Sequence, residues 1–383
     1  MHISRIKMRN WKNFPTVDVH LSNRIFIIGA NATGKSNLLD SLRFLRDIAK
    51  GQGGGLQLAM KERGGLSKVR CYAARSKPWV ELEIQLNSDN SEEPKFVYQL
   101  GLSQETKGFR RPVVKYEKVT VNGNVVLTRP DNNDREDSER LTETHLEQTS
   151  ANHKFREIAS FFRDICYLHL VPQMVRNPET ATGNSLNDDP FGKSFLERVA
   201  NTPEKTRKNR LKKIENALKI ITPQLTQLTF KYDKKGQPHL EARYEHWRPE
   251  AGQQSEIQFS DGTLRAIGLL WMLQEKSTLL LIEEPELSLN SEITKQLPAM
   301  FSMVSRKNKR QLIVSTHSHD LLSDKGIAPE ETVLLRPEKE GTSAMVLSND
   351  ESSLLLYKDG FSIADTGLPL AAPPEAEQLS LSF

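Results

Sequence analysis

Three short stretches at the start of the chain carry the apolar spacing of strands: "HISRIKM" (2–8), "TVDVHL" (16–21) and the short apolar run "RIFIIG" (24–29). The pattern then changes period. "GKSNLLDSLRFLRDIAK" (34–50) places Leu38, Leu42 and Leu45 at helical spacing. The "GQGGG" that follows reads as a helix stop and loop rather than a phosphate loop, because no strand precedes it. "WVELEIQL", "KFVYQLGL" and "VVKYEKVTV" predict three more strands between residues 78 and 128, and "NGN" (122–124) predicts a hairpin turn. Residues 129–154 are polar and charged, and are expected to form a loop or partly disordered segment. "REIASFFRDICYLHLVPQ" predicts a helix feeding a strand, and residues 176–194 a second long loop.

Thr202, Pro203 and Glu204 start a helix with Leu211, Ile214, Leu218 and Ile221 on one face. Its other face is basic, with Lys205, Arg207, Lys208, Arg210, Lys212 and Lys213. A solvated face and a nucleic-acid contact explain it equally well. From Phe259 onward, helix and strand alternate as in a parallel sheet. The Pro- and Ala-rich end "LPLAAPPEAEQLSLSF" is expected to be a flexible tail or a docking peptide. Neither sustained heptads nor internal repeats occur.

Composition narrows this picture only a little. The 383 residues suffice for two or three domains. A net charge of +4, from 53 basic and 49 acidic groups, is too balanced to imply nucleic acid by itself. Cys71 and Cys166 match no metal or redox spacing, and a reducing cytoplasm is expected. The N-terminus lacks the apolar centre of a secretory signal, and no apolar run reaches the ~18 residues of a membrane span.

Chemistry enters with "GANATGKSN" (29–37). Gly29, Gly34, Lys35 and Ser36 satisfy G-x-x-x-x-G-K-[ST] between a predicted strand and a predicted helix. Glycines let the backbone curl so that its amides face phosphate oxygens, and the helix N-terminus adds partial positive charge. Lys35 is expected to reach the β- and γ-phosphates, and Ser36 to hold Mg²⁺. Average residue usage gives a chance match in about one chain in a hundred of this length. A bare glycine turn would lack this context.

"STLLLIEEPE" (277–286) is an aliphatic run that ends on acids. Glu283 stands where an acid supports Mg²⁺ after a phosphate loop, and Glu284 where one orients or deprotonates the attacking water. A buried strand before an acid-rich helix turn is the plainer alternative. "FSDGTLRAIGLLWML" (259–273) opens a helix in which Ser260 and Gly262 precede a face of Leu264, Ile267, Leu270 and Trp271. A simple N-cap explains Ser260 as well. "QLIVSTHSHDLL" (311–322) is an apolar strand ending near His317, with Ser318 as the cap of the next helix.

Phosphate loop, Ser-x-Gly helix, acidic strand and strand-ending histidine occur in the order used by ABC-type ATPases. The N-terminal 50 residues resemble RecF, SMC and OLD-type proteins. "SDGTLR" and "IEEPE" resemble the AAA-ATPase branch of that group, found in bacterial anti-phage and overcoming-lysogenization systems. The resemblance is close over residues 1–50 and 255–325 and extends to the middle only in layout.

The resemblance implies an α/β P-loop NTPase fold: an ABC-type ATPase head, a mixed sheet flanked by helices, with an inserted helical/β subdomain. The expected division is an N-terminal lobe (1–128), an inserted lid region (129–254), a C-terminal lobe (255–350) and a tail (351–383). Gly29, Asn31, Gly34, Lys35, Ser36 and Asn37 would bind ATP. Gln173, in "LHLVPQMVR", would be the Q-loop glutamine near Mg²⁺. Ser260 and Gly262 would contact the γ-phosphate held by a second subunit, His317 would sense it, and Asn290 would fall at the interface-crossing D-loop.

Three positions depart from the pattern: Glu283 for the Asp of most ABC ATPases, although OLD-like members also use Glu; Asn290 for the D-loop Asp, or for the His of "HLHP"-like relatives; and a signature without its second glycine. Only 66 residues follow His317, and no DxD stands in for a Toprim nuclease, so an ATPase without its own nuclease is expected. The implied partners are a second copy of the chain, with larger oligomers open, and a separate effector, a nuclease or toxin, in anti-phage defence. A RecF-like repair ATPase that binds DNA directly, and a low-turnover ATP-dependent scaffold, stay open as alternatives.

Overall fold

A computed structural model describes residues 1–51, 53–74, 78–88, 91, 93–176, 191–245 and 252–372. Most of the long loop expected at 176–194, and the last eleven residues of the Pro/Ala-rich end, lie outside these. The chain forms two compact units. One comprises Met1–Ile165, Ser277–Leu281 and Phe301–Phe383; the other comprises Cys166–Lys276 and Ile282–Met300.

The first unit is built on two sheets. In the first, Phe14–His20, His2–Trp11, Val80–Asn87, Pro94–Gln104, Pro112–Val121 and Asn124–Arg129 lie side by side in that order, each antiparallel to its neighbour. The predicted hairpin is there: Val121 pairs with Asn124, and Asn122 and Gly123 turn the chain at φ 46° and 79°. Two consecutive left-handed residues match the twist of a two-residue hairpin, and Asn-Gly tolerates them best.

The second sheet holds Arg24–Gly29 at its centre. That strand pairs in parallel with Gln311–Ser315 on one side and Thr332–Glu338 on the other, and Gly341–Val346 closes the edge antiparallel. Every residue of Arg24–Gly29 is buried, as a central parallel strand requires. Helix Lys35–Ala49 covers it with Leu38, Leu39, Leu42 and Leu45. The Gln311 side chain welds the two sheets. Its oxygen accepts from the Ile3 amide (2.9 Å), and its nitrogen donates to the carbonyls of Ile3 (2.8 Å) and Ser22 (2.9 Å).

The second unit contains the antiparallel strands Gln253–Ser255, Pro238–Tyr244 and Leu225–Tyr232, and the helices Glu204–Ile221 and Asp261–Gln274. Leu211, Ile214 and Leu218 are buried, as their spacing predicts, while Ile221 is half-buried. On the basic face, Arg207 stacks on Phe230 at 4.2 Å and Arg210 lies 5.1 Å from the Trp271 ring, so two of the six cations serve internal packing. Gly268 leaves the space that Leu170 fills against the helix Asp261–Gln274.

The polar stretch 129–154 is not a loose loop. It contains the helix Asn132–Glu136 and a 3₁₀ turn at Ser138–Thr142, organised around an arginine with no exposed side-chain surface. Arg129 donates to both Asp134 oxygens (2.8 and 2.9 Å), to Glu117 (3.1 Å) and to the carbonyls of Arg140 and Glu143 (2.8 Å each). Glu117 in turn accepts from the amides of His145 (2.8 Å) and Leu146 (3.2 Å). The composition suggested disorder because these residues are polar. They are ordered because each buried charge is paired and hydrogen-bonded.

Removing the arginine strands two buried carboxylates. Arg129→Ala is expected to lower unfolding free energy by about 3–5 kcal/mol, read by denaturant titration. A loss below about 1 kcal/mol would show that the cluster is peripheral to stability.

Candidate functional site

The loop after Arg24–Gly29 is shaped by two left-handed residues, Ala32 at φ 65° and Gly34 at φ 97°. A side chain at Gly29 would run into the Thr33 hydroxyl and the Leu335 carbonyl, and one at Gly34 would collide with the Asn13 amide. Both motif glycines are therefore required by space, and Gly34 by backbone conformation as well. Helix Lys35–Ala49 starts here with no acidic residue in its first turn, so nothing on the helix offsets the positive N-terminal dipole. Exposed amides at such a terminus suit a phosphate. Lys35 is 7% exposed, and its ammonium donates to the carbonyls of Gly29 (2.8 Å) and Ala30 (3.2 Å). Asn31 and Ser36 are exposed.

Sequence reasoning missed what holds this loop. Asn13, in the turn between the first two strands, donates to the Thr33 carbonyl (2.7 Å) and the Thr342 hydroxyl (2.8 Å), and accepts from the Asn37 side chain (2.7 Å). The Trp11 indole donates to the Asn37 carbonyl (2.8 Å). The Asn37 amide thus faces Asn13. The signal was present in "RNWKNF", but its partners lie 20 to 329 positions away. His317 sits just beyond Gln311–Ser315. The Thr316 amide donates to Ile27 (3.1 Å), which sets exposed His317 at the end of the strand beside the phosphate-loop strand. Ser318 accepts from the Leu321 amide (3.3 Å), the cap expected of it.

The remaining candidates lie in the second unit. Strand Leu279–Glu283 is buried through Ile282, and Glu283 is half-buried at its end. Glu284 turns the chain at φ 45°. A non-glycine residue there costs roughly 1–2 kcal/mol, and such strain concentrates at functional sites. The phenol of Tyr167 donates a hydrogen bond to Glu283. Ser260 accepts from the Thr263 amide (3.2 Å) and caps the helix Asp261–Gln274 while staying exposed. A side chain on Gly262 would strike the Ser288 carbonyl. Asn290 is exposed and caps the short helix Ser291–Thr294 through the Glu292 amide (2.9 Å).

Gln173 is exposed on the turn Pro172–Arg176, 3.5 Å from Asp261. A firmer link is Arg176, which donates to Asp261 (2.5 Å) and to the Phe259 carbonyl (2.7 Å). Burial lowers the pKa of Arg265, against the attraction of Asp261, Glu284 and Glu286. Tyr167, Arg176 and Arg265 were all unassigned by the motif reading.

Each unit thus gathers part of the set: Gly29, Asn31, Gly34, Lys35, Ser36, Asn37 and His317 in one, and Gln173, Ser260, Gly262, Glu283, Glu284 and Asn290 in the other. The donors proposed for a metal, a serine hydroxyl and a carboxylate, are the hard oxygen ligands that Mg²⁺ takes, usually alongside phosphates and water. Among the described residues no three His, Cys, Asp or Glu side chains cluster as a metal site.

A buried parallel strand, a phosphate loop and a helix within a mixed sheet define the P-loop fold of ABC-type ATPase heads. The chain belongs to the family described as "AAA domain, putative AbiEii toxin, Type IV TA system", whose model matches residues 24–324. Two solved SMC heads share the fold. One is the SMC head bound to the C-winged helix domain of ScpA, with a TM-score of 0.55 and 13% identity over 90% of this chain and 97% of that one. The other is the Pyrococcus furiosus Smc head bound to the C-terminal domain of ScpA, with 0.54 and 14% over 94% and 99%. A 47-residue stretch is 45% identical to Endonuclease GajA of Bacillus cereus (strain VD045). It spans 12% of this chain and only 8% of that protein.

Asn13→Ala keeps every motif residue but removes the brace beneath Gly34 and Asn37. ATP affinity is expected to fall about tenfold, roughly 1.4 kcal/mol, with the fold intact by circular dichroism. Unchanged affinity in a calorimetric titration would mean the loop holds its shape without Asn13.

Proposed function

We propose that this chain is an ATP-binding and hydrolysing ABC-type ATPase that dimerises around ATP·Mg²⁺ and regulates a separate effector, a nuclease or toxin, in cytoplasmic anti-phage defence. The observation that carries the reading is the strained, glycine-dependent loop at the helix N-terminus, followed in the same chain by a buried strand ending in Glu283 and Glu284. Membership of a family described by a toxin and a Type IV TA system supports the defence setting, as does the short stretch shared with Endonuclease GajA. Among the described residues no helix is long and apolar enough to cross a membrane.

In this reading the backbone amides of residues 31–36 cradle the phosphates, and Lys35 leaves the loop carbonyls to neutralise the β- and γ-oxygens. Ser36 and Glu283 would hold Mg²⁺, with Gln173 beside it; the ion, when bound, offsets charge on the transferred phosphoryl group. Glu284 accepts a proton from the attacking water as the bond to the γ-phosphorus forms and the bond to the bridging oxygen breaks, giving ADP and phosphate. His317 reads the γ-phosphate. Ser260 and Gly262 meet the nucleotide of a second copy, and Asn290 lies at the same interface. The exposure of Ser260 and Asn290 supports their availability to a partner. Direct DNA binding by the basic helix has less support, since Arg207 and Arg210 pack on aromatic rings and Lys208 pairs with Glu204 (2.6 Å).

Lys35→Ala is expected to lose ATP binding. Glu284→Gln is expected to bind ATP, slow hydrolysis at least a hundredfold, and accumulate as a nucleotide-bound dimer by light scattering. Full turnover in Glu284→Gln would remove that residue from its role, and ordinary ATP affinity in Lys35→Ala would end the phosphate-loop reading.

A further inference from the structure

We propose that Tyr167 is a positioning residue that aims the Glu283 carboxylate at the metal, an inference that rests on the ATPase reading above. Strand Ile165–Leu168 is buried along its length, and Tyr167 is 8% exposed. Its phenolic O–H donates to the Oε2 atom of Glu283, 116 positions further along the chain, and both residues belong to the second unit. A phenol paired with an ionised carboxylate makes one of the stronger classes of side-chain hydrogen bond.

The position is informative because the acid that ends this buried strand is a glutamate. Glutamate has one more methylene and one more rotatable bond than aspartate. A longer carboxylate reaches farther but samples more directions, which is a poor property in a group that must hold an ion requiring near-ideal octahedral geometry. Fixing Oε2 against the phenol removes that freedom and sets the direction of Oε1. Groups that orient a metal-binding carboxylate through a hydrogen bond commonly change metal affinity when removed, even though they never touch the ion. Tyr167 and Glu283 therefore act as a pair: the tyrosine makes a glutamate usable at this strand end.

A purely structural role is the competing explanation, since a buried tyrosine hydroxyl usually finds some partner. The two differ in what they affect. Tyr167→Phe retains the ring and its packing and removes only the donor. Mn²⁺ serves as the probe, followed by electron paramagnetic resonance in the presence of ATP; ATP binding in EDTA and thermal melting are measured on the same samples.

Positioning predicts that Tyr167→Phe weakens Mn²⁺ binding in the ATP complex about tenfold, while metal-free ATP affinity and melting temperature stay near those of the wild type. Glu283→Asp also weakens Mn²⁺. Adding Tyr167→Phe to it has little further effect, because the shorter side chain no longer engages the phenol, so the cycle is strongly non-additive. Unchanged Mn²⁺ affinity in Tyr167→Phe overturns the inference, as do additive effects in the double variant or equal losses in metal-free ATP binding. A wild-type chain that binds no ATP removes the ATPase reading together with this inference. One that binds Mn²⁺·ATP equally well with and without the phenol removes this inference alone.

Discussion

The site depends on one steric constraint: the backbone at Gly34 turns left-handed against the side chain of Asn13, leaving no room for a Cβ. Everything that could grip a phosphate follows from that turn. It directs the chain into the helix Lys35–Ala49, whose start no side chain caps, and it places the Lys35 ammonium on the carbonyls of Gly29 and Ala30. Asn13 is not a passive wall. By binding Thr33, Asn37 and Thr342 it ties the loop to the turn between the first two strands and to the edge strand Gly341–Val346. Loops that recognise ligands gain precision from such rigid supports.

The strand Leu279–Glu283 meets a different problem, how to end a fully buried aliphatic run on carboxylates. A carboxylate placed in apolar surroundings is costly. Here the cost is limited by position. Ile282 is the last buried residue of the strand, Glu283 is half-buried with a phenol on one oxygen, and Glu284 leaves the strand through a left-handed turn. Glu286, two residues further on, is buried and near Arg265. The three acids therefore have three environments, although the sequence presents them almost contiguously.

Features set by neighbouring residues were legible before the fold. The phosphate-loop strand and helix, the Asn-Gly hairpin and the Ser260 and Ser318 caps each depend on a few consecutive side chains. The mixed α/β head also followed, from motif order and family resemblance. What was not legible depends on distant pairing. Residues 129–154 look like solvated loop because the partner of Arg129 at Glu117 lies in a different strand. Tyr167 is an ordinary strand residue until Glu283 is placed beside it. Asn290 shows a further limit, since an N-cap and an interface residue look alike in sequence, and the cap it makes leaves its other role to be tested.

The central claim is that ATP is held at the loop of residues 29–37 and completed by a second copy of the chain. The most direct test is an experimental structure of the full chain with a slowly hydrolysed ATP analogue and Mg²⁺. The expected result is a dimer with two nucleotides, the phosphates on the amides of residues 31–36 and on Lys35, and Ser260 of the opposite copy at the γ-phosphate. Nucleotide bound elsewhere, or held at the loop by a chain that stays monomeric, would contradict it.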